Sequence, residues 1–356
     1  MMPTRTTNPA MHPALMLAIS MIIIFSGCTG LNNKNQENPP DWVNGNSSHY
    51  SRQQYIIGRG QANSLSAAQD RARANIAKTF QVNIYERSSD NKQISQTTDK
   101  QGTSSSQEAR IQRYISTETD QIIDGIEIAE VWKNPATKQF HTLAILSRNQ
   151  AITRLHQQIK QLDNATTKSI AASRSSADTL TQAGFAAQAL TAQQQRAAYQ
   201  KMASIIDLSG RGVTPRWQPA RLEADLNDIL KRTHIQAVGT GPEKEAITSI
   251  LAGALATAGL TPGDAEHSDY LLTGQLDIID LGKRDGWDWQ RATIHIKLTD
   301  KPGGKLRGDH SWTRLKAAGL DKNTAKQRLL DKIEQTLKDD MRQTLIDMAT
   351  PKKNPL

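Results

Sequence analysis

Few side chains in this chain of 356 residues are spaced to do covalent chemistry. Its one thiol is Cys28, which ends a run of apolar and small residues beginning at Ala14. A lone thiol cannot close a disulfide within its chain, so it stands free for attachment. Histidines lie at positions 12, 49, 141, 156, 234, 267, 295 and 310, and no two fall four apart as zinc ligands on a helix would. Neither a Gly-x-Ser-x-Gly elbow, a Walker loop nor an EF-hand loop is written in the chain. Asp309-His310-Ser311 gathers the residue types of a hydrolytic triad. Triads are assembled in space, however, and neighbouring strand residues point to opposite faces. Asp277, Asp280, Asp285 and Asp288 cluster without the spacing of a calcium loop, which reads as a solvated hairpin. The sequence therefore predicts no catalytic residue, no metal site and no cofactor. It leaves the segment KRDGWDW, Lys283 to Trp289. Trp287 and Trp289 fall on one strand face beside Lys283 and Arg284. Aromatics next to cations suit contact with a protein or glycan partner. The same two rings would equally serve to close a core.

The elements that would place Cys28 are those of an export signal. Arg5 and His12 precede a stretch from Ala14 to Phe25 that carries no charge. At twelve residues it is too short to span a bilayer, which takes roughly 20. The junction Phe25-Ser26-Gly27-Cys28 resembles the bacterial lipobox. That resemblance implies cleavage between Gly27 and Cys28 and a triacylated Cys28, and stable anchoring does take more than one chain. Thr29 stands where an Asp would retain such a protein in the inner membrane, which implies the outer membrane, facing the periplasm. The alternative is an ordinary secretory signal with an incidental cysteine.

The formal charge is +9, and loss of Arg5 with the signal leaves +8. Residues 151–213 hold seven basic and three acidic side chains, a balance open to an anionic neighbour such as a lipid headgroup or a wall polymer. A solvated helical surface explains it as well. Nucleic acid is excluded as a partner, since no dense basic patch carries interleaved aromatics.

Residues 28–40 are polar, rich in Asn and end in two prolines, as a tether does. A first domain spans 41–148. Tyr55–Ala62 reads as a strand. Leu65, Ala68, Ala72, Ile76 and Phe80 recur on one helix face, with Ser66 and Gln69 at capping-box spacing. Gln81–Arg87 alternates as a half-buried strand. Residues 88–106 read as loop, and strands return at 125–132 and 140–146 around the turn at Asn134-Pro135. Gly58 and Gly60 read as positions where strand and helix approach closely, because a dinucleotide loop would need a third glycine where Asn63 stands. Pro40-Asp41-Trp42, Ile57-Gly58-Arg59-Gly60-Gln61-Ala62 and the series Ala68, Ala72, Ile76-Ala77 resemble the LPP-twenty lipoprotein family. The resemblance covers about 40–148 and implies a β-α-β-β core found in small bacterial lipoproteins and flagellum-associated envelope proteins.

Residues 149–208 are rich in Ala, Gln, Thr and Ser and predict an αα-hairpin broken at 173–178, the alternative being one long helix. Its thin, Ala-heavy stripe must pack on the rest of the chain or pair two copies into a homo-oligomer. A Gly/Pro linker follows at 209–219, then a second α/β domain at 220–349 and a tail at 350–356. In that domain 234–239, 269–279, 291–299 and 306–315 read as strands, and 243–258 and 323–348 as helices. Leu329, Ile333, Leu337, Met341 and Leu345 mark the core face of the last helix. The run Asp269-Tyr270-Leu271-Leu272-Thr273-Gly274 resembles the α/β domain of penicillin-binding-protein activator lipoproteins, curli-secretion lipoproteins and the amino-terminal domain of TolB. The expected class is α+β: two sandwich-like domains, helices on mostly antiparallel sheets, joined by the helical segment. The expected role is non-enzymatic binding or scaffolding in the envelope, with outer-membrane lipid and a protein of unknown identity as partners. Narrower readings are activation of a peptidoglycan synthase, a flagellar-basal accessory, or a hydrolase with an unrecognised site.

Overall fold

The computed structural model describes residues 38–78, 111, 113–114, 125–301 and 303–350. Gly27, Cys28, the tether to residue 37, Phe80, the expected strand at 81–87, the stretch 88–106 and the tail lie outside the described residues. The class is α+β, and the described residues from Pro39 onward form one compact unit.

A three-stranded antiparallel sheet opens the fold, with β1 (Tyr55–Ala62), β2 (Glu127–Lys133) and β3 (Phe140–Ser147) in the order β1-β3-β2. The short helix α1 (Asp41–Asn44) sets Trp42 into a small core with Leu143 and Ile145, and its Nε1 donates to Glu130 Oε2 at 2.6 Å. Helix α2, over residues 65–78, covers the other face and buries Ala68, Ala72 and Ile76 completely. A Cβ at Gly58 would collide with the Ala72 carbonyl, and one at Gly60 with the Ala68 carbonyl. Only glycine lets β1 lie this close to α2. Two details differ from the sequence reading. Ser64, not Ser66, caps α2, its Oγ accepting from the Ala67 N–H at 3.3 Å. Leu65 is exposed, because it precedes the turn on which the buried stripe begins.

Two 28-residue helices follow, α3 (Arg148–Ser175) and α4 (Thr179–Ile206), antiparallel and each about 42 Å long. Asp178 caps α4, accepting from the Thr181 N–H at 2.8 Å. Helix α4 is buried almost all round. Its first half (Leu180, Ala183, Leu190) belongs to the core of the second sheet, and its last half (Tyr199, Met202, Ile206) to the core of the first. Alanine fills the contact because small side chains let flanking elements approach from several sides.

The second sheet has the order β5-β4-β6-β7-β8. β4 (His234–Thr240) runs parallel to β5 (Thr261–Pro262) and to β6 (Tyr270–Arg284). β7 (Trp287–Asp300) and β8 (Leu306–Gly319) continue antiparallel. Helices α6 (Lys244–Thr257) and α7 (Lys322–Ala349) cover one face, with Leu329, Ile333, Leu337 and Met341 fully buried there. The other face carries Gln275, Asp277, His295, Lys297, Asp309 and Ser311, all exposed. Helix α5 (Pro219–Lys231) packs on α4 through Leu222, Leu226 and Leu230.

Candidate functional site

The β6–β7 hairpin runs past the limits read from the sequence. Pairing continues through Lys283 with Asp288 and Arg284 with Trp287. A bulge between Asp280 and Gly282 interrupts the apolar alternation without ending the ladder. Asp285 and Gly286 form the turn, with φ of 52° and 83°. Two left-handed residues in sequence are what a tight hairpin turn needs, and Asp-Gly supplies them at low cost.

Trp287 is 38% exposed and Trp289 is 36%, and neither joins a core cluster. They do not close the core; they stand at the sheet end with Ile279 and Leu320, which are also exposed. Lys283 and Arg284 are exposed and make no ion pair among the described residues. The start of α7 fixes the stem. Lys322 Nζ sits 2.5 Å from Asp280 Oδ2, Gln290 Nε2 donates to the Lys322 carbonyl at 3.2 Å, and Arg328 lies 5.7 Å over the Trp287 ring. The Lys322 ammonium and the Gly282 N–H hold the Asp280 carboxyl below the usual carboxylate range. The result is a rigid tip with two partly exposed indoles and two unpaired cations. It can dock a partner by apolar contact and charge. Sequence reasoning missed Lys322 and Arg328, which come from a helix far along the chain.

The histidines give no common centre. His295 Nδ1 and Ser311 Oγ lie 2.6 Å apart on the open sheet face, in solvent. His310 points to the opposite face and meets the Trp312 ring edge-on at 4.5 Å. Asp309 pairs with Lys297 across the ladder, not with His295. No acidic group bonds the His295 ring among the described residues, so the triad residue types stay scattered. No group of three His, Cys, Asp or Glu side chains there could hold a metal ion.

A second polar cluster ties the hairpin to this sheet. Tyr270 Oη donates to Asp178 and accepts from the Leu180 N–H at 3.2 Å. Arg307 bridges Asp178 at 3.1 Å and Asp300 at 2.5 Å. Burial raises the Asp178 carboxyl, but the Thr181 and Tyr270 hydrogen bonds and the Arg307 charge outweigh it, so it ends below the ordinary range. Burial and the bond to Asp178 push the Tyr270 hydroxyl up to about 12. The cluster is structural, joining α4 to β6 and β8.

The close β1–α2 packing and the Trp42 anchor bear on kinship. Residues 40–147 match the model of the LPP20 lipoprotein family. The LPP20 segment thus runs from the residue before α1 to the end of β3, and α3 to α7 lie outside it. The secreted protein HP1454 of Helicobacter pylori is 15% identical over 82% of this chain and 97% of that chain, with a TM-score of 0.39. A minor lipoprotein of Acinetobacter baumannii is 15% identical over 35% of this chain and 97% of its own, with a TM-score of 0.25. No curated protein matches the chain. No helix among the described residues is long and apolar enough to cross a membrane.

Proposed function

We propose that the protein is a non-enzymatic binding or scaffolding lipoprotein of the bacterial cell envelope. In this reading Cys28 carries the lipid, the outer membrane holds it, and the folded part faces the periplasm. The LPP20 match carries the proposal, because it falls on the segment directly after the tether that Cys28 would begin. Cys28→Ser is expected to release the chain from the membrane fraction or leave it unprocessed. Membrane attachment that survives this change would overturn the anchoring.

The partner contact is assigned to Trp287 and Trp289 with Lys283 and Arg284. Truncating both indoles to Ala leaves the core clusters intact but removes rings that are mostly covered, so stability should fall by about 2–4 kcal/mol while the fold persists. Crosslinking to an envelope partner in living cells should be lost. A pair of variants that folds and keeps every crosslink would refute the assignment. This tip lies outside the LPP20 segment, in the part of the chain whose run Asp269-Tyr270-Leu271-Leu272-Thr273-Gly274 resembles synthase-activator lipoproteins in sequence. That position favours a peptidoglycan-synthase activator over a flagellar accessory as the narrower role.

A further inference from the structure

A groove of about 1000 Å³ opens between the helical hairpin and α5. Its floor is apolar: Ile170 from α3, Ala186 and Ala189 from α4, Trp217 from the linker, and Leu222 and Ile229 from α5. The small side chains of α4 leave the space, and Trp217 walls it. Five cations line it as well, Arg174, Arg216, Arg221, Lys231 and Arg232, against the two carboxylates Asp225 and Asp228. Those carboxylates do not neutralise it. Arg221 and Asp225 are 82% and 52% exposed at 3.4 Å, and Lys231 and Asp228 only approach to 4.0 Å. Exposed pairs of this kind bind weakly and exchange readily for a better anion. Arg174 and Arg216 make no ion pair among the described residues, and Arg216 lies 4.9 Å over the Trp217 ring.

Size and chemistry together select the occupant. The volume stands at the upper end of small-ligand sites, which run to about 1000 Å³. A docked helix is about 10–12 Å across, so this space would take only about two turns of one. An apolar floor under a cationic rim complements an acyl chain with a negative head. We propose that the groove binds an anionic phospholipid of the membrane, one acyl chain against Trp217 and Ile229 and the phosphate between Arg174 and Arg216. This site is separate from Cys28 and from the β6–β7 tip, so it stands or falls independently of both.

The test uses the full chain carrying Cys28→Ser, in which no covalent lipid competes. Lysophosphatidylglycerol and lysophosphatidylcholine, each below its micellar concentration, are titrated against tryptophan emission. The glycerol headgroup should bind at least about tenfold more tightly than the choline one. R174E with R216E should lose about tenfold for lysophosphatidylglycerol and less for lysophosphatidylcholine, whose choline cation offsets the same phosphate. Ile229→Trp, which sets an indole where the acyl chain would lie, should abolish binding of both. Unchanged thermal melting establishes that each variant is folded. Equal affinity for the two headgroups, or anionic binding that survives both variants, would overturn the proposal. So would no binding by the folded chain. The source is read separately, from lipid extracted after purification from membranes. Phosphatidylglycerol that accompanies the unmodified groove and not Ile229→Trp supports a membrane phospholipid, and lysolipid or free fatty acid alone overturns that source.

Discussion

Arg196 joins the two long helices to the linker through a buried charge. It is 1% exposed in the middle of α4, where an unpaired charge would be untenable. Its Nε meets Asp163 Oδ1 at 3.2 Å, its Nη1 donates to Gln200 Oε1 at 3.3 Å, and its Nη2 donates to the Val213 carbonyl at 3.0 Å. Breaking a buried pair by removing one partner costs about 3–5 kcal/mol. Here Asp163 is 27% exposed and keeps a bond from Gln193 Nε2 at 3.0 Å, so it is not stranded. Arg196→Ala should therefore lie at the lower end, about 3 kcal/mol, roughly a hundredfold in the folded-to-unfolded ratio. Asp163→Ala leaves the buried Arg196 charge with only the neutral acceptors of Gln200 and Val213 and should cost at least as much, about 3–5 kcal/mol, and the double variant should fall short of the sum by about 1 kcal/mol or more. Urea unfolding followed by circular dichroism supplies all three values. Arg196→Ala also releases the linker, so the Val213 N–H, which donates to Gln200 Oε1 at 2.9 Å, should exchange faster with solvent. A loss below about 1 kcal/mol with unchanged Val213 exchange would refute the reasoning, as would strict additivity of the two substitutions.

Three further substitutions have defined outcomes. Asp178→Asn keeps a helix cap but loses the charge facing Arg307, and should destabilise by about 1–2 kcal/mol at neutral pH. The folded carboxyl ionises more readily than the unfolded one, so its contribution is present above about pH 4 and fades as pH falls through the depressed folded value. Thermal melts should converge for the two proteins in acid, and a gap that persists there would sink the account. Gly60→Val sets a branched side chain against the backbone of Ala68 and Ala72, which cannot yield as a flexible side chain would. A cost of about 3 kcal/mol or failure of the first sheet to form is expected by thermal unfolding. Gly253→Ala is its counterpart, since nothing lies within 4 Å of that Cβ inside α6, and it should stabilise by about 0.5–1 kcal/mol. Equal effects of the two glycine changes would show that close approach is not what selects glycine here.

Local periodicity made the outer elements legible. The four-residue spacing of α7 exposes its buried face directly, and the alternation of Ala292, Ile294, Ile296 and Leu298 marks the buried side of β7. Helix α5 was missed although Leu222, Leu226 and Leu230 repeat at four, because the Gly- and Pro-rich linker runs straight into it and Pro219 itself opens the helix. The ends of β6 and β7 were missed because the bulge at Asp280–Gly282 and a polar tip hide an alternation that continues in the backbone pairing. What could not be read at all is long-range. Nothing in sequence joins Asp178 to Tyr270 and Arg307, or brings Arg328 over Trp287, since these contacts depend on the packing of elements far apart in the chain.

The same limit explains α4. An Ala-rich stripe states that something packs closely on the helix, not what packs on it. In the fold its two ends answer to different sheets, with Leu180, Ala183 and Leu190 in one core and Tyr199, Met202 and Ile206 in the other. A side chain with one apolar face could not serve both, whereas alanine can, helped near the start of the helix by Gly184, which lies against the backbone of Ala349 at the end of α7. The Asp178 cluster fixes one end of α4 to the second sheet, and Arg148, donating to the Ile206 carbonyl at 2.7 Å, fixes the other end beside the first. Arg196 stands between them and fastens the linker that carries Arg216 and Trp217. The cationic wall of the groove is therefore held by the helix that joins the two cores, so loosening α4 at its centre should disturb the groove before it disturbs either sheet.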